Sequence, residues 1–186
     1  MRGFGNTYAQ AEIGGEFKKL PAGGYVCEIT NVEDKPDKQY LLVTYDIATG
    51  PYKGYYSDEW GKAHIYAHSI YKSYKDANMR YFRGFITCID KSNGTNFDSL
   101  YAGTDPVNEK LLIGKRIGLV IAYEEYMNDR GEKRERTYVH SNRSVQAIEA
   151  GDYEVPDVKP LNNTPATAPA TIPPEFQQIK DDEIPF

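Results

Sequence analysis

Two strand-turn-strand patterns, a long stretch between them without β-branched alternation, and a sharp change of composition after Tyr153 predict a mainly β domain with a disordered C-terminal tail. The first pattern starts at Gly24. Tyr25, Cys27 and Ile29 alternate with Val26, Glu28 and Thr30, and the run ends at the turn formers Asp34-Lys35-Pro36-Asp37. Tyr40 to Ile47 returns as the partner strand and stops at Thr49-Gly50-Pro51. The Tyr-rich segment from Tyr52 to Tyr56 is expected to continue the sheet beyond that break.

From Asp58 to Asp90 the sequence reads as helical or irregular, and from Gly94 to Asp105 as turns. Strand pattern returns at Arg116-Ile117-Gly118-Leu119-Val120-Ile121-Ala122-Tyr123 and runs through Tyr126. It turns at Asn128-Asp129-Arg130-Gly131, a strong hairpin signal, and comes back over Arg134 to His140. A short helix is expected at 144–149. Four or five strands in this space close most economically as a five-stranded Greek-key barrel of the oligonucleotide-binding (OB) type, with a helical or irregular insertion. The division is then a flexible arm over 1–16, the OB domain over 17–153, a Pro/Ala/Thr linker over 154–180 and an acidic tip over 181–186. The linker has too few apolar residues to offset its ordering entropy, and as a random coil it spans roughly 25–35 Å.

Charge is unevenly placed. Residues 1–150 hold equal numbers of basic and acidic side chains, whereas 151–186 hold two basic and seven acidic ones, which is the whole net charge of −5. A neutral body can still bind a polyanion where its cations cluster. No apolar run is long enough to span a membrane, and the N-terminus lacks the apolar stretch of a signal peptide. Cys27 and Cys88 read as thiols rather than as a disulfide in a cytoplasmic protein.

Asp181-Asp182-Glu183-Ile184-Pro185-Phe186 has the form of a docking tip. Its carboxylates suit Lys or Arg on a partner, the ring suits an apolar pocket, and Pro185 limits the entropy lost on binding. This ending resembles the tail of bacterial and phage single-stranded DNA-binding proteins, where it recruits replication, recombination and repair enzymes. Patches of the body, Phe17-Lys18-Lys19-Leu20-Pro21-Ala22-Gly23-Gly24-Tyr25, Leu112-Ile113-Gly114-Lys115 and Gly151-Asp152-Tyr153-Glu154-Val155-Pro156 among them, are similar to phage and mobile-element proteins of Gram-positive bacteria. The resemblance implies sequence-independent coating of single-stranded DNA at replication sites or the nucleoid of a bacterial host. It does not carry over the tetramer of the chromosomal protein, although a homo-oligomer remains among the allowed assemblies.

Single-strand binding needs cations along the phosphates and aromatic faces for the bases. Two segments combine them. Lys62, Lys72, Lys75, Arg80 and Arg83 interleave with Tyr66, Tyr71, Tyr74 and Tyr81, against the single acid Asp76. In the late hairpin Lys133, Arg134, Arg136 and Tyr138 face Tyr123. Trp60 lies between the early strands and the first segment. Each has a plainer structural alternative, as amphipathic cover, as a solvated edge hairpin balanced by Glu124, Glu125, Glu132 and Glu135, or as a partly buried ring. His64, His68 and His140 have no zinc-site spacing, there is no Cys-x-x-Cys, and the glycines match no phosphate-binding loop. No metal, cofactor or catalytic activity is expected. The competing class is an adapter that does not bind DNA and uses the tip to capture or block host repair and replication proteins.

Overall fold

The computed structural model describes residues 19–161. The expected arm, most of the expected linker and the acidic tip lie outside the described residues. Five strands form one antiparallel sheet in the order β3-β2-β1-β4-β5. They are β1 (Gly23–Lys35), β2 (Tyr40–Ile47), β3 (Ser69–Ser73), β4 (Arg116–Met127) and β5 (Lys133–Arg143). The helices are α1 (Glu59–Ala63), α2 (Met79–Asn93), α3 (Phe97–Ala102) and α4 (Val145–Glu149).

Strand β1 is the spine. Its first half pairs with β4, Gly23 opposite Ile121 through Glu28 opposite Arg116, and its second half pairs with β2. At the handover, Ile29 faces Tyr45 while Asn31 faces Thr44, so Thr30 is an extra residue, a β-bulge that bends the strand. The bend curls the sheet until its edge strands approach, and Lys72 of β3 donates to Asn142 Oδ1 of β5 at 2.8 Å across the seam. The helix between β3 and β4 plugs the barrel. Phe82, Phe85, Ile86 and Ile89 of α2, spaced on one helical face, are all buried. They meet Ile29, Val43, Ile47, Leu119 and Ile121 in one apolar core. Burying each such side chain contributes roughly 1.5–3 kcal/mol. This sheet order, with a helix between the third and fourth strands, is the OB fold, as the sequence predicts.

Three local expectations are corrected. The 52–56 segment is not strand but tight turns, with Gly50 at φ 80° and Gly54 at φ 73°. Asp46 holds them there, its carboxylate accepting from the Tyr56 N–H at 3.0 Å and the Ser57 hydroxyl at 2.5 Å. The stretch expected to be helical or irregular contains β3. This strand is only five residues long, and Ile70 is its one buried side chain, too brief an alternation to register. The expected turn region 94–105 contains α3, whose first N–H groups are held by the Asp90 carboxylate at 2.7 and 2.8 Å.

The short helix after β5 forms as α4, with Ser144 accepting from the Ala147 N–H at 3.2 Å. It seats Ile148 on the outer face of β4 so closely that a Cβ at Gly118 would lie 2.4 Å from Ile148. Beyond Tyr153 the chain is still in contact with the barrel. Lys159 donates its N–H to Tyr123 O and accepts from the Glu125 N–H, both at 2.9 Å, along the part of β4 that β1 leaves unpaired.

Candidate nucleic-acid interface

The period of two in β2 sends Leu41, Val43, Tyr45 and Ile47 into the core, so Tyr40, Leu42, Thr44 and Asp46 face outward. Pairing with β3 sets Tyr71 beside Leu42 and Ser73 beside Tyr40, and pairing with β1 adds Lys35, Glu33 and Asn31 to the same face. Tyr40 and Tyr71 meet edge to face with centroids 5.2 Å apart. Tyr66, from the turn before β3, is 57% exposed and Tyr71 45%. Burial pushes the Tyr71 phenol up, and the nearby phenols of Tyr40 and Tyr66 add to that shift. Three tyrosine rings therefore stand together on the outer face of the second and third strands. Such rings are what unpaired bases stack on, and this is the face OB folds use for oligonucleotides.

The face continues past Thr44 into a recess of about 300 Å³, bordered by Thr30, Asn31, Asp46, Lys62, Ile65 and His68. His68 anchors this end. It is buried, its ring stacks on Tyr56 at 4.6 Å, and its nitrogens lie 2.6 Å from Tyr45 O and 3.1 Å from Gly61 O. Those contacts fasten the turn carrying Ile65 and Tyr66 to β2 and α1. A Cβ at Gly61 would stand 2.1 Å from Tyr56 O, so only glycine permits this approach.

The residues singled out from the sequence divide by location. Lys62, Tyr66 and Tyr71 come together along the face and its recess. Trp60 lies on α1, 38% exposed and stacked on His64 at 4.7 Å. Lys72 turns toward the barrel seam and lies 5.2 Å from the Phe85 ring centroid. Tyr74 packs edge to face on Phe82 and donates to Asp34 at 2.8 Å, and its phenol is pushed up to about 12, chiefly by burial. Lys75 is exposed at the entry to α2. Arg80 packs on the Tyr81 ring, and Arg83 pairs with Asp98 at 2.8 Å. Arg80 and Arg83 lie on α2, whereas the Lys75 N–H donates to Ser73 Oγ at 3.3 Å, at the end of β3 that pairs with Tyr40.

The late hairpin is heavily ion-paired. Lys133 pairs with Glu125 at 2.6 Å, Arg134 with Glu132 at 2.8 Å and Arg136 with Glu124 at 2.8 Å. The Glu125 and Glu132 carboxyls are held below their usual range, first by these hydrogen bonds. Tyr138 shares the outer face with Arg136 and lies 6.2 Å from His140, while Val139 packs against the core. Tyr123 is engaged from the other side, donating to Leu20 O at 2.5 Å under the Lys19 ammonium. Sequence reading missed Tyr40, Leu42, Asn31 and Ile65. The alternation of β2 was the available signal for the first two, but without the position of β3 nothing marked their face as the one left uncovered.

The fold thus defines an OB-type barrel with an aromatic face on its second and third strands. Among solved structures it is similar to a chain described as "Yeast RPA bound to ssDNA", at 13% identity and a TM-score of 0.26, over 79% of this chain and 90% of that one. No family model matches the chain, and no curated protein does. Among the described residues no group of three or more His, Cys, Asp or Glu could hold a metal ion. No described helix is long and apolar enough to cross a membrane.

Proposed function

We propose that this chain is a non-enzymatic single-stranded DNA-binding protein, largely indifferent to sequence. In this reading it protects exposed strands during phage or mobile-element replication and recombination. The observation that carries the reading is the cluster of Tyr40, Tyr66 and Tyr71 on the outer face of β2 and β3. Exposed rings are costly to leave in water, and a strand's bases cover them while Lys35 and Lys62 lie close enough to meet phosphates. The tip 181–186 recruits partner enzymes by its acidic and apolar residues. Because it is tethered to the body, it also competes with DNA for the same face at high effective concentration.

The test is fluorescence titration of the full chain with oligo-dT, following tyrosine and Trp60 quenching, with duplex DNA as comparison. Tight quenching by the single strand and little by the duplex supports the reading. No binding at low salt, even without residues 181–186, overturns it in favour of an adapter that presents the tip without touching DNA.

A further inference from the structure

We propose that a cavity on the helical side of the barrel is the docking site for the N-terminal residues of a second copy of this chain. The inference goes beyond single-strand binding and does not depend on it. The cavity, about 670 Å³, opens between α2, α3 and the far end of the β1–β2 hairpin, and its size is that of sites that enclose a ligand. Leu41, Phe82 and Ile86 of the core form its floor, and Met79, 44% exposed, and Tyr101 stand at its walls. Its charge is of one sign. Asp34, Asp98, Asp105 and Glu109 border it, and among the described residues that line it Arg83 is the one cation, held by Asp98 at 2.8 Å. An apolar floor under a carboxylate rim repels phosphates and suits a ring beside a cation.

Two segments lie outside the described residues, and charge separates them. Residues 162–186 hold four acidic side chains against Lys180, so the rim repels them. Residues 1–8 hold Arg2, Phe4 and Tyr8 and no acid. Phe4 can fill the floor beside Met79, a favourable sulfur–aromatic pairing, while Arg2 meets the rim. Reach then decides whose cavity is filled. Lys19 is tied to Glu135 and lies over Tyr123, ahead of β1, whereas Asp34 stands near the other end of that strand. The eleven steps from Gly23 to Asp34 cover about 35 Å, less the bend. Phe4 precedes Lys19 by fifteen residues, a length that spans about 20 Å as a coil. Filling its own cavity would demand a nearly stretched segment, with the entropy that costs, and a neighbour's cavity does not. Alternation puts Asp34 and Leu41 on the opposite side of the sheet from Lys35 and Tyr40, so docking leaves the tyrosine face open. Segment and cavity are different surfaces. The contact is therefore heterologous and repeats from copy to copy, as proteins laid along one strand require.

The test is sedimentation velocity of the full chain without DNA, over a concentration series at low salt. We expect the average mass to rise with concentration. Phe4→Ala, Arg2→Glu and the paired change Asp105→Lys with Glu109→Lys should each weaken association, the charge reversals by about tenfold as exposed ion pairs turn repulsive. Mixing the Arg2→Glu chain with the Asp105→Lys, Glu109→Lys chain should restore it, because each segment then meets a cavity of opposite sign. A chain that stays monomeric at every concentration overturns the proposal, and that outcome includes a segment held in its own cavity. Association that these changes leave intact places the contact elsewhere and overturns it. So does weakening that mixing fails to restore, which is the mark of damaged packing. None of these measurements uses DNA, so a failure of single-strand binding is read separately in the oligo-dT titration.

Discussion

Replacing Tyr66 and Tyr71 together by alanine tests the aromatic face directly. Stacking on an aromatic side chain is worth about 1–3 kcal/mol per base, so losing two such rings should cost about 2–6 kcal/mol of binding, roughly 30-fold to 10⁴-fold in Kd. The cost to folding should be much smaller. Tyr66 is 57% exposed and Tyr71 45%, and among the described residues the ring contact given up is the edge-to-face pair with Tyr40 at 5.2 Å, worth about 1 kcal/mol. Binding and stability effects are therefore separable by a melting curve on the same sample. The assay is anisotropy of labelled oligo-dT, which does not depend on the protein's own fluorescence. Tyr81→Ala is the control, because Tyr81 is 42% exposed but sits on α2 under Arg80. A double variant that binds within about threefold of wild type, less than one stacked base contributes, would refute the reasoning. So would a Tyr81→Ala loss of equal size.

Three further outcomes are expected. Deleting residues 181–186 should tighten oligo-dT binding several-fold at low salt and have little effect at high salt, because a screened tip no longer competes. Gly118→Ala should lower the urea midpoint by the equivalent of about 1–3 kcal/mol, since its Cβ would lie 2.4 Å from Ile148 Cγ1 and 2.8 Å from Ser144 O. Burial pushes the phenols of Tyr25, Tyr74 and Tyr101 up to about 12. The fold thus favours their neutral form, and that stabilisation is complete below the unfolded value near 10 and lost as pH rises through about 12. Circular dichroism and tyrosinate absorbance should therefore change together in that window. Ionisation of all sixteen tyrosines near pH 10 with the fold intact would contradict it.

The parts of the fold that could be read in the sequence were those with long alternation. The β1–β2 and β4–β5 hairpins each carry a run of apolar side chains on one face and a turn rich in Asp, Asn, Pro or Gly. Strand β3 could not be read this way, because Ile70 alone is buried in it, and β3 is the strand that decides which tyrosines gather. The site was accordingly half legible. Tyr66 and Tyr71 stood out by composition, whereas Tyr40 and Leu42 became part of it through register with a strand the pattern did not mark. The surroundings of the basic residues depend on pairing in the same way. In the sequence Arg134 and Arg136 look like phosphate ligands, but strand pairing sets Arg136 opposite Glu124, and the hairpin turn sets Arg134 beside Glu132.

That pairing determines what kind of binder this can be. Surface ion pairs contribute little to stability, but each one gives a phosphate a competitor that must be displaced. Lys133, Arg134 and Arg136 of the hairpin are spoken for in this way, Arg83 is held by Asp98, and Lys35 beside the tyrosines is hydrogen-bonded to Glu33. The face therefore has three rings and few uncommitted charges, so affinity should come from bases more than from phosphates. Counterion release puts a number on this. If about two or three phosphates are neutralised, log K should fall against log salt with a slope of about −1.5 to −2 for a single strand. A titration of oligo-dT binding across a salt series measures the slope directly. A value steeper than about −5 would mean that the hairpin and α2 cations leave their carboxylates to grip the backbone, and the tyrosine face would then be secondary to an electrostatic groove.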